Sequence, residues 1–421
     1  MKTSRPLVYF VANENVGDGL LQAQLVQPLK GSGLWERVSV INLVHPFSAR
    51  RRPVDGVRTL RLGIPAKLYQ FRLFGMLDLL VSLYYALVLL AVVPRGARVV
   101  ARSYYSALAI DLLKRLKDID LVFDTRSQFV QENESAGKLR RGSLAHRFWL
   151  ATEARLLRRA SKVIAVSDAQ AAYYQALQPN AAVSVVPCFG QPDYALLSDT
   201  SRRDARARMG FSDDDIVVCY YGSLDRKWNH IDVYKAFFAD CLARGCKLCV
   251  MTPAADELLA DPALATPSAY IRRVDDPIEA RALMSGCDYG VIVMARSADW
   301  ESRLGVKFVE YLCAGLQVLV GQWVGTAARL ASERFAATSH VLDTDPPRLP
   351  AQLRRLDAGG RADVARRDFS TTAHVLDTTP PQVPATLAQT SAANRMRIAQ
   401  RAEELFGYRR MASIFEDSPA S

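Results

Sequence analysis

The chain has 421 residues, half of them apolar and 23% charged, which suits globular domains and argues against a disordered or collagen-like chain. That length is long for one hydrophobic core, so two domains are expected. The formal charge of +11 belongs to one half: residues 1–200 hold 26 Lys and Arg against 15 Asp and Glu, and residues 201–421 hold 28 against 28.

A basic first half, with runs at Arg50–Arg52, Lys138–Arg141 and Arg155–Lys162, points to an anionic partner: a phosphorylated acceptor, an acidic membrane surface or nucleic acid. The last lacks a basic motif with interleaved aromatics and is not expected. The alternative for any single run is a solvated surface. All seven cysteines (188, 219, 241, 246, 249, 287 and 313) lie from residue 188 onward, several inside apolar runs. An odd number of such thiols suits reduced, core-packed cysteines and a cytoplasmic location. Cys246 and Cys249 form a CxxC without a second pair at zinc spacing and read as strand residues.

The first residues enter a strand, Leu7–Ala12, with no signal-peptide pattern. The turn Gly17-Asp18-Gly19 then opens an amphipathic helix, a strand–glycine turn–helix unit of the Rossmann type that lacks the full GxGxxG. Strands follow at Val38–Leu43 and Val57–Leu62, then an apolar helix over 74–93. Its uncharged run Leu79–Pro94 is 16 residues, short of the ~20 a membrane span needs. It reads as a buried helix or one docked on a bilayer surface. The series continues with strand Val99–Ala101, helix Ala107–Leu116, strand Leu121–Asp124, helix Leu144–Ala160, strand Lys162–Ser167 and a last strand at 183–188. Such alternation predicts a parallel sheet covered on both faces.

The polar stretch Asp199–Arg208 is the expected linker. A second series starts at Ile216–Tyr221 and runs through Asp232–Arg244, Lys247–Thr252, Tyr270–Val274, Ile278–Gly286 and Tyr289–Val293. The predicted domains are residues 1–198, residues 199–393, and a C-terminal helix from residue 394 that packs back on the first domain. Phe335–Asp368 and Phe369–Ala402 form a tandem repeat at a spacing of 34 residues. Its ProPro pairs argue against helical tetratricopeptide units, and it reads as a duplicated strand–turn–helix at the edge of the second domain.

The most informative stretch is SRLGVKFVEYLCAGLQVL, Ser302–Leu319. Gly305 makes a turn, Lys307 follows, and Phe308, Leu312 and Leu316 fall at helical spacing. A helix N-terminus here would offer unpaired N–H groups to a diphosphate, and Glu310 in its first turns could accept from ribose hydroxyls. The bland alternative is a buried helix with one solvated Glu. The stretch resembles the donor-binding motif of nucleotide-sugar glycosyltransferases of GT-B fold, glycosyltransferase family 4 (glycosyl transferases group 1) in particular, in which the second glutamate of a Glu-x7-Glu pair holds the donor ribose.

The resemblance runs from Tyr9 to Glu416. In YYGSLDRKWNHID at 220–232, it implies a glycine-containing loop, Gly222 and Ser223, with a cation facing the diphosphate: Lys227, with Arg226 as the fallback. Donor contacts would come from Ser302, Gly305, Val306, Lys307 and Glu310. LVFDTRSQFVQE at 121–132 is similar to a segment that would set Arg126 and Glu132 on the acceptor side, with Gly17 and Gly19. An ion pair at a strand end is the structural alternative for Arg126 and Glu132. In EARLLRRASKVIAVSDAQ, Ser167 is read as a helix cap.

Three positions depart from the family pattern: Ser302 stands where a first Glu is usual, with Glu301 one place off; Gln317 replaces a proline; Thr326 replaces an acidic residue. The five histidines are dispersed, so no metal ligand is assigned and no obligate metal or cofactor is expected. The family resemblance implies two Rossmann-like domains with parallel sheets facing a cleft. It also implies a retaining hexosyltransferase acting from a nucleotide-sugar donor on a glycan or lipid-linked acceptor, in cell-surface polysaccharide or glycolipid synthesis, peripheral to the inner face of the cytoplasmic membrane. A GT-B nucleotide-sugar epimerase and a non-catalytic sugar-nucleotide-binding module are the alternatives.

Overall fold

The computed structural model describes residues 5–45, 54–64, 75–224, 230–294, 300–335, 339–342 and 391–416. The chain divides into two compact units. Unit 1 comprises Met1–Gly190, Ser302–Leu304 and Phe406–Ser421; unit 2 comprises Gln191–Glu301 and Gly305–Leu405.

Unit 1 is built on seven strands: β1 Leu7–Ala12, β2 Val38–Leu43, β3 Val57–Leu60, β4 Ala97–Arg102, β5 Ile119–Asp124, β6 Lys162–Ala165 and β7 Val183–Val185. Their order is β3-β2-β1-β4-β5-β6-β7, and every pairing is parallel. The inner strands β1, β4, β5 and β6 are buried on both faces because helices cover both faces. One core packs the helices Gly75–Leu90, Ser103–Leu113, Leu144–Arg159 and Asp168–Leu177 on the sheet. The other takes the helical run from Gly19 to Gly31, which includes a π segment at Gln22–Val26, together with Met411, Ile414 and Phe415. Lys162 and Arg98 reach this C-terminal segment, donating to the carbonyls of Ser413 at 2.5 Å and Phe415 at 2.7 Å.

Unit 2 repeats the winding with β8 Val217–Tyr221, β9 Lys247–Met251, β10 Ala269–Arg272, β11 Tyr289–Ile292, β12 Gln317–Gly321 and β13 Ser339–Leu342. Their order is β10-β9-β8-β11-β12-β13, again all parallel. In each sheet the winding reverses beside the first strand, between β1 and β4 and between β8 and β11. Open sheets of this kind bind ligands at the carboxyl ends there.

Three readings change with the structure. The polar stretch at 199–208 is no linker but a helix of unit 2, Asp199–Met209, capped by Ser198 and stopped by Gly210. Its composition looks solvated, yet Arg202 and Arg206 are buried on Asp288 at 2.6 and 2.9 Å, and paired charges are what burial tolerates. The C-terminal helix ends at Phe406; Glu403 meets Gln191 within unit 2 at 2.5 Å, and the short segments Tyr408–Met411 and Ala412–Phe415 belong to unit 1. The helix Gly75–Leu90 is only half buried: Leu80, Leu83, Tyr84, Leu87 and Leu90 are exposed. The tandem repeat, apart from its ends and Ser339–Leu342, lies outside the described residues, as does Arg50–Arg52.

Candidate active site

At the carboxyl end of β8 the backbone turns through Gly222, whose φ of +138° excludes most side chains. The Lys307 side chain covers it: a Cβ on Gly222 would stand 2.5 Å from Lys307 Cε. Lys307 Nζ also lies 5.6 Å from the centre of the Tyr220 ring, a cation–π distance. Lys307 comes from the helix Val306–Cys313, whose N-cap Gly305 supplies no side-chain cap. A helix N-terminus carries partial positive charge that favours an anionic ligand.

What seats this helix is Tyr311. Its ring lies on Gly290 of β11, where a Cβ would be 2.2 Å from Tyr311 Cγ, and its hydroxyl accepts from the Tyr221 N–H at 3.1 Å. Lys307 and Glu310 are therefore held at the switch point by a contact only glycine permits. Burial pushes the Glu310 carboxyl above the usual glutamate range, and the charges of Lys307 and Arg281 partly offset this. Burial and then Glu310 also raise the Tyr221 hydroxyl. A cation, a helix N-terminus and a carboxylate near one strand end can respectively meet a diphosphate and accept hydrogen bonds from sugar hydroxyls.

Gly222, Gly305, Val306, Lys307 and Glu310 thus share unit 2, with Ser223, whose carbonyl accepts from Tyr220 Oη at 2.7 Å. Lys227 and Arg226 lie outside the described residues. Ser302 belongs to unit 1, where its hydroxyl donates to Gln128 at 2.9 Å and its carbonyl accepts from Ser167 at 2.6 Å. Ser167 also caps its helix, as read from the sequence. Glu301, exposed, stays in unit 2, its carbonyl bound by both the N–H and hydroxyl of Thr326 at 2.9 Å. The Thr at that unusual position therefore anchors the backbone at Glu301.

In unit 1, Arg126 and Glu132 do not pair with each other. Arg126 meets Asp124 at 2.8 Å, and Glu132 meets Arg303 at 3.1 Å. Gly17 donates to Asn15 Oδ1 at 2.9 Å, and Gly19 opens the following helical run. Sequence reasoning passed over Arg102, on Glu14 at 2.7 Å, and over Asn13 and Ser103, which with Arg126 adopt positive φ values of 66°, 67° and 59°. Such strain at three neighbouring strand ends marks a constrained site. It also passed over Gly290, although a lone glycine inside an apolar strand signals a close approach. Among the described residues, Cys219, Cys249 and Cys287 bring their sulfurs within 4.8 Å of one another; all are fully buried, and burial raises the Cys219 thiol.

Residues 23–188 match the family model of the glycosyl transferase 4-like domain. No curated protein matches the sequence. Among solved structures, the chain is similar to a sucrose-phosphate synthase from Thermosynechococcus elongatus, with 15% identity, TM-score 0.63 and 98% of each chain covered. It is also similar to WaaG, a glycosyltransferase involved in lipopolysaccharide biosynthesis, with 14% identity, TM-score 0.59, and 98% of this chain and 100% of that one covered. Anabaena HepE in complex with UDP aligns with 13% identity, TM-score 0.61 and 97% of each chain covered. Residues 23–188 are thus similar to a glycosyl transferase 4-like domain, and the two parallel sheets of Rossmann winding have the fold of these solved GT-B structures.

Proposed function

We propose that the enzyme is a retaining hexosyltransferase that takes its sugar from a nucleoside-diphosphate donor held by unit 2 and delivers it to a glycan or lipid-linked acceptor met by unit 1. The observation that carries the donor assignment is the grouping of Lys307, Glu310 and the uncapped Val306–Cys313 helix near the β8 end. Lys307, with Lys227 or Arg226, meets the charge that grows on the departing diphosphate, while Glu310 accepts from the ribose hydroxyls. Glu301 takes the place of the usual first glutamate toward the donor sugar. In the same-face route the acceptor oxygen bonds to the anomeric carbon as the bond to the diphosphate breaks, and the acceptor proton passes to the leaving phosphate oxygen. Protein cations serve the diphosphate, so turnover should survive EDTA.

The acceptor side is read as peripheral to an anionic membrane at the cytoplasmic face, in polysaccharide or glycolipid synthesis. No helix among the described residues is long and apolar enough to cross a membrane. The exposed leucines of Gly75–Leu90 instead form a stripe at helical spacing, and Lys117 closes one end by donating to the Leu90 carbonyl at 2.8 Å. The run at 155–162 contributes little to such a surface, because Arg155 and Arg159 are spent on Asp111, each at 2.5 Å. Turnover with a panel of nucleotide sugars, with the product anomer assigned by NMR, tests the reading. Retention is expected. Inversion, epimerised free sugar nucleotide, or binding without turnover would overturn it.

A further inference from the structure

The carboxyl ends of β1, β4 and β5 hold more hydrogen-bond donors than acceptors. Arg102 is 4% exposed, and its Nη1 has no partner. Arg126 Nη2 and Asn13 Nδ2 are likewise buried and unmet, against one unmet acceptor there, Asp124 Oδ1. An unmet buried N–H is costly, so three at one place in a fold call for a ligand. They are close together: Val11 pairs with Arg102, and Arg102 with Asp124, across adjacent strands. Arg102 and Arg126 lie within electrostatic reach of each other and of Tyr9 and Asp124.

The groups are also fixed in advance. Tyr85 Oη donates to Asn13 Oδ1 at 2.7 Å, which leaves the amide nitrogen to face elsewhere. Asn42 holds the next turn by donating to the Glu14 carbonyl at 2.8 Å and accepting from the Val16 N–H at 3.1 Å. Two acids balance the two arginines, and they differ in how firmly they are held. Asp124 is fully buried between the Tyr9 hydroxyl and Arg126. The Glu14 side chain is 41% exposed and rests on Arg102 Nε at 2.7 Å. If Glu14 swings into water, a net positive charge and a set of N–H donors remain.

We propose that this strand end is an oxyanion subsite, in which Arg102, Arg126 and Asn13 receive a negatively charged group on the acceptor and Glu14 keeps the place until the acceptor arrives. The inference rests on the glycosyltransferase reading, which supplies the acceptor. Guanidinium groups suit phosphate and carboxylate alike, so the two sources are separated by experiment.

The test is calorimetric titration of the full chain, first with a nucleoside diphosphate to fill the donor site and then with inorganic phosphate or acetate. Saturable phosphate binding is expected, tightened about tenfold in Glu14→Gln and weakened about tenfold in Arg126→Gln, as for one charge-assisted hydrogen bond. A stronger response to acetate than to phosphate assigns the subsite to a carboxylate. Binding indifferent to both substitutions, or absent from the wild type and Glu14→Gln alike, would overturn the subsite. Because Glu14 is on the surface, its variant tests the idea even if Arg126→Gln misfolds. Failure of the nucleoside diphosphate to bind would instead sink the glycosyltransferase reading.

Discussion

The two units wind their sheets in the same order, yet furnish the carboxyl ends in opposite ways. In unit 1 the end is crowded with charge: Glu14 on Arg102, Asp124 on Arg126 and Tyr9, and backbone strain at three non-glycine residues. In unit 2 it is opened by glycine. Gly222 makes room for Lys307, and Gly290 makes room for Tyr311. The lesson is that topology fixes where a ligand can sit, and a few residues beyond the strands decide its chemistry. Excess positive charge in the sequence follows the same division, since the second half is neutral.

The sharpest way to break the contrast is to remove a glycine. Gly290→Ala sets a methyl 2.2 Å from Tyr311 Cγ and should cost about 3 kcal/mol by overpacking. Gly19→Ala, with nothing within 4 Å, should change stability by less than about 1 kcal/mol. Urea denaturation of both variants checks the pair, and equal midpoints would mean that the Tyr311 seat is not the constraint described.

Next in size is Lys307→Ala. Stabilisation that acts mainly on the departing diphosphate should appear as a loss of about 10²-fold in kcat with little change in KM. Steady-state kinetics decide this; a change in KM alone would make Lys307 a ground-state contact.

A smaller effect belongs to unit 1. Burial pushes the Asp78 carboxyl up to about 6, despite hydrogen bonds from Trp149 and Tyr105. The folded state then holds a proton that the unfolded chain has released, so stability falls as pH rises from about 4 to about 6. The cost is on the order of 2 kcal/mol. Asp78→Asn should remove this slope, measured as the stability difference from wild type across that range. A difference that stays flat with pH would refute the shift. Smallest is the exposed stripe: Leu83→Ser with Leu87→Ser should weaken binding to acidic vesicles by about 1 kcal/mol, because a leucine at a bilayer surface loses only part of its exposed area, and flotation at low and high salt would show it. Equal recovery of wild type and variant would remove the membrane role.

Much of the winding was legible in the residues. β1 and β2 have the bounds read from the apolar runs, because two-sided burial leaves an uninterrupted signal. The Asp199–Met209 helix was hidden because its arginines look solvated until Asp288, far along the chain, is brought to them. That Lys307 and Glu310 lie together could be read, because one short motif carries both. The Arg102–Glu14 pair could not, since it joins the last residue of β4 to the turn after β1, far apart in the chain. Ser302 sat in the motif's register but belongs to unit 1, which register alone does not reveal.

The most direct measurement of the central claim is calorimetric titration of nucleoside diphosphates into the wild type and Glu310→Ala. The wild type should bind one of them saturably, less tightly as pH falls because the Glu310 carboxyl is raised. The variant should lose about 1.5–3 kcal/mol of affinity with its fold intact. Equal affinity in the two proteins, or no binding of any nucleoside diphosphate, would contradict a donor site at the end of β8.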